Sequence, residues 1–192
     1  MTQSLICDLR GDKVSAINFV SLNKFIKEKL NDSGTVWIIT NCQYKDHVVQ
    51  VKFFDICNKI HGLLLKNIIL TYNHEIKNKY HLFNDNVEHI LFFSKSKKYF
   101  LNKDPIREKH IWKDVEWGKR KKNYNPKGKD PGNVWIKTND DGKGNITQHL
   151  PVTNTEVIER IIKCSSNEKD TISTYGLNIN DSHNRIIHEE RF

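Results

Sequence analysis

Between Lys119 and Lys129 the chain places six cations, Lys119, Arg120, Lys121, Lys122, Lys127 and Lys129, around Tyr124 and close behind Trp117. Lysine and arginine attract phosphate and release its condensed counterions, and an aromatic face among them offers a surface for stacking a base or a guanidinium. That combination suits a loop that touches nucleic acid. A solvated loop whose lysines only keep the protein soluble would look the same in isolation, and both readings stay open at this point. The four cysteines, Cys7, Cys42, Cys57 and Cys164, are far apart and never form a C-x-x-C pair. They read as small buried hydrophobes, with no metal site expected.

The elements that would hold such a loop follow from apolar spacing. Ile17, Val20, Leu22, Phe25, Ile26 and Leu30 recur mostly every three or four residues, which predicts an amphipathic helix over 17–30, with Ser21 able to cap a shorter form. Asn31 to Gly34 breaks it, and the apolar, β-branched run Thr35 to Thr40 reads as a strand buried on both faces. The unit recurs, with Val51, Phe54, Cys57 and Ile60 on one face of a helix over 51–61, Gly62 ending it, and a strand from Leu63 to Tyr72. Val87 to Phe93 and Lys97 to Leu101, joined by Ser94-Lys95-Ser96, predict an antiparallel hairpin. Residues 103–132 carry three of the four prolines, many charges and little periodicity, so they read as an inserted surface loop that returns through Val134-Trp135-Ile136. A last helix over 154–163 buries Val157, Ile158, Ile161 and Ile162, capped by Asn154 or Thr155, and residues 165–192 read as a loosely held polar tail.

These elements predict an α/β three-layer sandwich with a mixed sheet, formed as a single domain over residues 1–164. A length of 192 residues is enough for one domain with a real core, and too short for two full ones. The net charge of +8 favours a polyanionic partner, although an AT-rich genome would supply some of the lysine without selection. No apolar run approaches the roughly 18–20 residues of a membrane span, and the first residues lack a basic segment followed by an apolar one. A cytosolic protein without membrane contact is expected.

Several segments together resemble the DNA methyltransferases that modify adenine N6 or cytosine N4, in the class whose catalytic motif precedes its cofactor motif. Ser33 to Thr40 and Leu65 to Leu70 are similar to the family's strands after the catalytic loop. Val87 to Asn102, followed by Asp104-Pro105-Ile106-Arg107-Glu108, resembles its hairpin and the exit into target recognition. Gly128 to Trp135 looks like the return from that loop, and His149 to Cys164 like the cofactor-side helix with the histidine-containing stretch before it.

The resemblance implies S-adenosylmethionine as cofactor, duplex DNA as partner, a recognition loop over about 103–132, His149 against the cofactor, and phosphate contacts from Lys119 to Lys122, Tyr124, Lys127 and Lys129. It also exposes departures. The family's Asp/Asn/Ser-Pro-Pro-Tyr/Phe loop, which hydrogen-bonds and stacks on the target base, has as its counterpart only Asp8-Leu9-Arg10-Gly11, where Asp8 is the remaining acceptor. Thr153 and Asn154 stand where an aromatic residue and a proline are usual. The glycine-rich cofactor turn is reduced to Ser173-Thr174-Tyr175-Gly176-Leu177-Asn178, so the fold is expected to be incomplete at its cofactor end. The resemblance therefore implies one of two functions. Either the chain methylates DNA, with Asp8 or a second methyltransferase subunit restoring the acceptor loop, or it is a DNA-binding remnant that transfers nothing.

Overall fold

Every residue of the run Thr2–Asp8 is buried, which requires a strand with neighbours on both sides and cover on both faces. A computed structural model describes residues 1–45, 48–72, 87–111 and 124–192 and places this strand at the centre of a mixed sheet. In chain order its elements are β1 (Thr2–Asp8), α1 (Lys13–Ala16), α2 (Phe19–Lys29), β2 (Leu30–Asn41), β3 (Gln43–Lys45), β4 (Val48–Gln50), α3 (Lys52–Lys59), β5 (Leu64–Tyr72) and β6 (Val87–Ser94). They continue with the 3-10 turn η1 (Asp104–Ile106), β7 (Val134–Asp140), β8 (Ile146–Pro151), α4 (Asn154–Ser165), β9 (Thr171–Tyr175) and β10 (Ile186–Glu189).

The described sheet has eight strands in the order β10-β9-β1-β2-β6-β5-β7-β8, with β3 and β4 forming a separate small hairpin. β10, β9, β1 and β2 are parallel. β6 runs antiparallel to both of its neighbours, β2 and β5. Alternation along the strands sends Leu5, Cys7, Val36, Ile38, Leu91 and Phe93 to one face, where Leu22 and Ile26 of α2 and Ile56 of α3 cover them. Ile6, Trp37, Ile39, Ile90 and Phe92 go to the other, under Val157, Ile161 and Ile162 of α4. The result is the α/β three-layer sandwich expected, with each fully buried aliphatic side chain contributing about 1.5–3 kcal/mol.

Several sequence expectations change. The helix predicted over 17–30 spans 19–29, because Asn18 caps it by accepting from the Val20 and Ser21 amides and Leu30 already belongs to β2. Val20 is 79% exposed and Phe54 is 63% exposed, so the apolar stripes rest instead on Leu22 and Ile26, and on Ile56 with Phe53 and Cys57 partly buried. Thr153 is the cap of α4, forming a reciprocal capping box with Glu156.

The predicted hairpin between 87–93 and 97–101 does not form. After β6 the Ser94 hydroxyl donates to the Ser96 carbonyl (2.8 Å) and the Ser96 hydroxyl to the Lys98 carbonyl (2.7 Å), curling the chain away. β6 is buried on both faces and pairs on both edges, so the antiparallel partners it finds are β2 and β5. Residues 165–192 are no loose tail either: β9 pairs with β1, and β10 extends the parallel set. The hydroxyl-rich β9 is buried because its polar atoms are matched, as in the contacts of Thr2 Oγ1 with Ser173 Oγ (3.1 Å) and of Ser173 Oγ with Glu190 Oε1 (2.9 Å). Among the described residues no helix is long and apolar enough to cross a membrane.

Candidate active site

β1 connects through α2 to β2 on one side, whereas β9 leads to β10 on the other. The carboxyl ends of β1 and β9 therefore flank the point where the sheet's winding direction switches, the place where open α/β sheets bind ligands. Cys7 is in register with Tyr175, so the next residues, Asp8 and Gly176, stand side by side at that edge. Gly176 takes a left-handed φ of +68°, and a Cβ there would lie 2.9 Å from the Asp8 carbonyl oxygen, so glycine is needed for both conformation and space.

Asp8 is buried, and both of its carboxylate oxygens are engaged. Oδ1 accepts from the Arg10 amide (3.1 Å) and from Arg10 Nε (2.9 Å). Oδ2 accepts from Arg10 Nη2 (3.2 Å) and from Lys13 Nζ (2.7 Å). Arg10 Nη1 continues to Glu88 Oε1 and Oε2 at the start of β6 (3.0 and 3.1 Å) and to Asn154 Oδ1 at the start of α4 (2.6 Å). Lys13 also donates to the Gly176 carbonyl (2.9 Å), and the Gly11 amide donates to Asn41 Oδ1 (3.3 Å). One network thus ties β1, β2, β6, α4 and the end of β9.

Burial works to raise the pKa of Asp8, but hydrogen bonds from Arg10 and Lys13 outweigh it and hold the carboxyl below its ordinary value. Burial likewise disfavours charge on Arg10, and the Asp8 and Glu88 carboxylates overcome it. Across the ladder from Glu88 lies Thr71, buried and with no hydrogen-bond partner for its hydroxyl among the described residues. The buried thiols are structural in character: burial pushes the Cys7 thiol far up, with Asp8 adding to it, and, at the far end of α4, pushes Cys164 up to about 12. Among the described residues no group of three or more His, Cys, Asp or Glu is placed to hold a metal.

The remaining predicted residues lie elsewhere. His149 sits exposed on the edge strand β8, its Nδ1 3.4 Å from Thr138 Oγ1, and the structure does not bring it into the Asp8 network. It lines a cavity of about 620 Å³ with His110, Tyr124, Lys129 and Ile136, between the described part of the insertion and the β7–β8 hairpin. The Tyr124 ring lies against His110, 4.8 Å between centroids. Lys127 pairs with Asp104, and Lys129 Nζ is 3.9 Å from Glu108, which also holds Arg160 at 3.1 Å. Lys119, Arg120, Lys121 and Lys122 lie outside the described residues.

The sequence does not mark Arg10, Lys13, Glu88 or Asn154 as partners of Asp8. Glu88 carried the detectable signal, because a carboxylate inside the apolar run Val87 to Phe93 needs a cation partner once buried. The Asp8-x-Arg10 spacing, with Lys13 one short turn on, supplied a nearby one.

A family model described as DNA methylase matches residues 18–173. Among solved structures, the chain resembles the cytosine-N4-specific PvuII DNA methyltransferase, with 15% identity over 98% of this chain and 74% of that one, and a TM-score of 0.63. It also resembles TTHA0409 from Thermus thermophilus in complex with S-adenosyl-L-methionine, with 13% identity over 98% and 79% of the two chains and a TM-score of 0.59. The M1.HpyAVI–SAM complex gives 13% identity over 98% and 81%, with a TM-score of 0.54. At these identities the likeness to the solved structures is one of fold.

Proposed function

Because this chain belongs to the DNA methylase family, we propose that it engages duplex DNA through the insertion at 103–132 and receives an exocyclic amine, adenine N6 or cytosine N4, at the carboxyl edge of β1 and β9. The observation that carries this reading is the position of Asp8, a carboxylate acceptor at the end of the central strand and beside Gly176. Released from Lys13, an acceptor there would take a hydrogen bond from the amine of a base turned out of the duplex and leave its lone pair free for attack. Lys127 and Lys129, themselves exposed, serve as phosphate contacts by exchanging Asp104 and Glu108 for phosphate, and Tyr124 offers a face for stacking.

S-adenosylmethionine is the methyl donor that the family resemblance supports. The edge as arranged does not fit it. Asp8 and the Gly176 carbonyl, the acceptors that a cationic ligand would use, are already taken by Arg10 and Lys13, and β9 reaches β10 through only the ten residues 176–185, with no intervening helix. In this closed form the chain binds DNA and transfers nothing. A second reading, a split enzyme whose partner chain supplies the missing acceptor loop and glycine turn, is favoured by the absence of both from Asp8 to Gly11 and Ser173 to Asn178.

The test combines duplex binding by fluorescence anisotropy at several salt concentrations with transfer of tritium-labelled methyl groups to DNA. The expected result is a salt-dependent affinity without transfer, log K falling with log salt by roughly 0.9 per phosphate contacted. No affinity at low salt from a folded sample would remove the DNA reading. Transfer by the chain alone would remove the closed edge and leave an active enzyme.

A further inference from the structure

One side chain contributes directly to the disagreement between the edge and its expected cofactor. We propose that Lys13 is a bolt built into the chain: its ammonium bridges β1 and β9 and excludes the cationic cofactor from the crevice between them. This inference rests on the proposed function above, and narrows it to one side chain.

Two features distinguish a bolt from a permanent plug. Lys13 reaches the crevice from α1, a helix of only four residues, and its side chain is 47% exposed, so Nζ has a route into water. When it leaves, Asp8 keeps its pairing with Arg10, and the Gly176 carbonyl regains its lone pair. Asp8 and Glu88 then share the Arg10 guanidinium, so neither is left without a cation partner, which is what allows the movement without unfolding the edge. S-adenosylmethionine carries a sulfonium and an α-ammonium, so a lysine held 2.7 Å from Asp8 and 2.9 Å from the Gly176 carbonyl opposes it twice, by occupying its acceptors and by repelling its charge. Arg10, held by Asp8, Glu88 and Asn154, is the fixed plate against which the bolt closes.

The experiment is calorimetric titration of S-adenosylmethionine into the wild-type chain, Lys13→Met and Lys24→Met. Methionine keeps most of the aliphatic stem. Lys24, exposed on α2, removes the same charge from a remote position. Thermal melts establish that each sample is folded, and duplex binding by anisotropy is measured on the same samples. The expected result is an affinity at least about tenfold tighter for Lys13→Met than for the other two. Equal affinities in all three, no binding in any folded sample, or an equal gain for Lys24→Met would each overturn the bolt. Failure of the DNA reading appears separately, as loss of duplex binding in every sample whatever the cofactor result.

Discussion

The edge at Asp8 and the insertion around Glu108 both neutralise carboxylates with lysine and arginine, yet they do so at opposite burial. Asp8 and Glu88 are enclosed and share one guanidinium, whereas Lys127, 65% exposed, meets Asp104 at the surface. Removing one partner of a buried pair strands a charge away from water, while an exposed pair is nearly exchangeable with solvent ions. The same chemistry therefore makes a lock in one place and a reserve of cations in the other. Under the proposed function, phosphates take lysines from the insertion at little cost, whereas withdrawing Arg10 from the enclosed edge carries the cost of breaking a buried pair.

The largest effect that would break this contrast is expected at Arg10. Arg10→Met leaves Glu88 buried without its guanidinium and is expected to destabilise the chain by roughly 3–5 kcal/mol in urea unfolding. A shift under about 1 kcal/mol would place the edge with the surface pairs. Next comes Gly176→Val, which forces a left-handed β-branched residue against the Asp8 carbonyl and is expected to lower stability by roughly 1–3 kcal/mol in the same measurement. In the insertion, Lys127→Ala and Lys129→Ala are expected to leave the thermal midpoint almost unmoved while each lowers the salt slope of duplex binding by about one. A drop in midpoint without a change in slope would make them structural.

The smallest expected effect is acid sensitivity. The depressed pKa of Asp8 contributes stability that is fully present above its ordinary value of 3.8 and lost as pH falls through the lower folded value. Asp8→Asn should therefore flatten the acid limb of the stability profile below pH 3.8. Asp104, lowered by Arg107 and Lys127 at the surface, should change that limb little when replaced by Asn.

Much of the sheet was legible in the sequence, because β2, β6 and α4 bury continuous or periodic apolar residues and β5 is an apolar run even though Leu64 and Leu65 stay exposed. β9 was not. Thr171-Ile172-Ser173-Thr174-Tyr175 looks polar by composition, and its burial depends on hydroxyl partners contributed by β1 and Glu190. Apolar spacing also misplaced β6, since a strand buried on both faces can sit at a hairpin edge or between two strands, and only pairing decides. At the candidate site, Asp8 was identified through the resemblance, but its locked state was not, because it joins residues as distant as Arg10, Glu88 and Asn154. His149 illustrates the converse: a residue in the expected segment whose observed partner, Thr138, belongs to another hairpin strand.

Following the carboxyl carbon of Asp8 by NMR through an acid titration reads out whether this carboxylate is held ionised and engaged by Arg10 and Lys13. The expected midpoint lies below 3.8 in the wild-type chain and moves upward in Lys13→Met. A wild-type midpoint at or above 3.8, unchanged by that substitution, would contradict it.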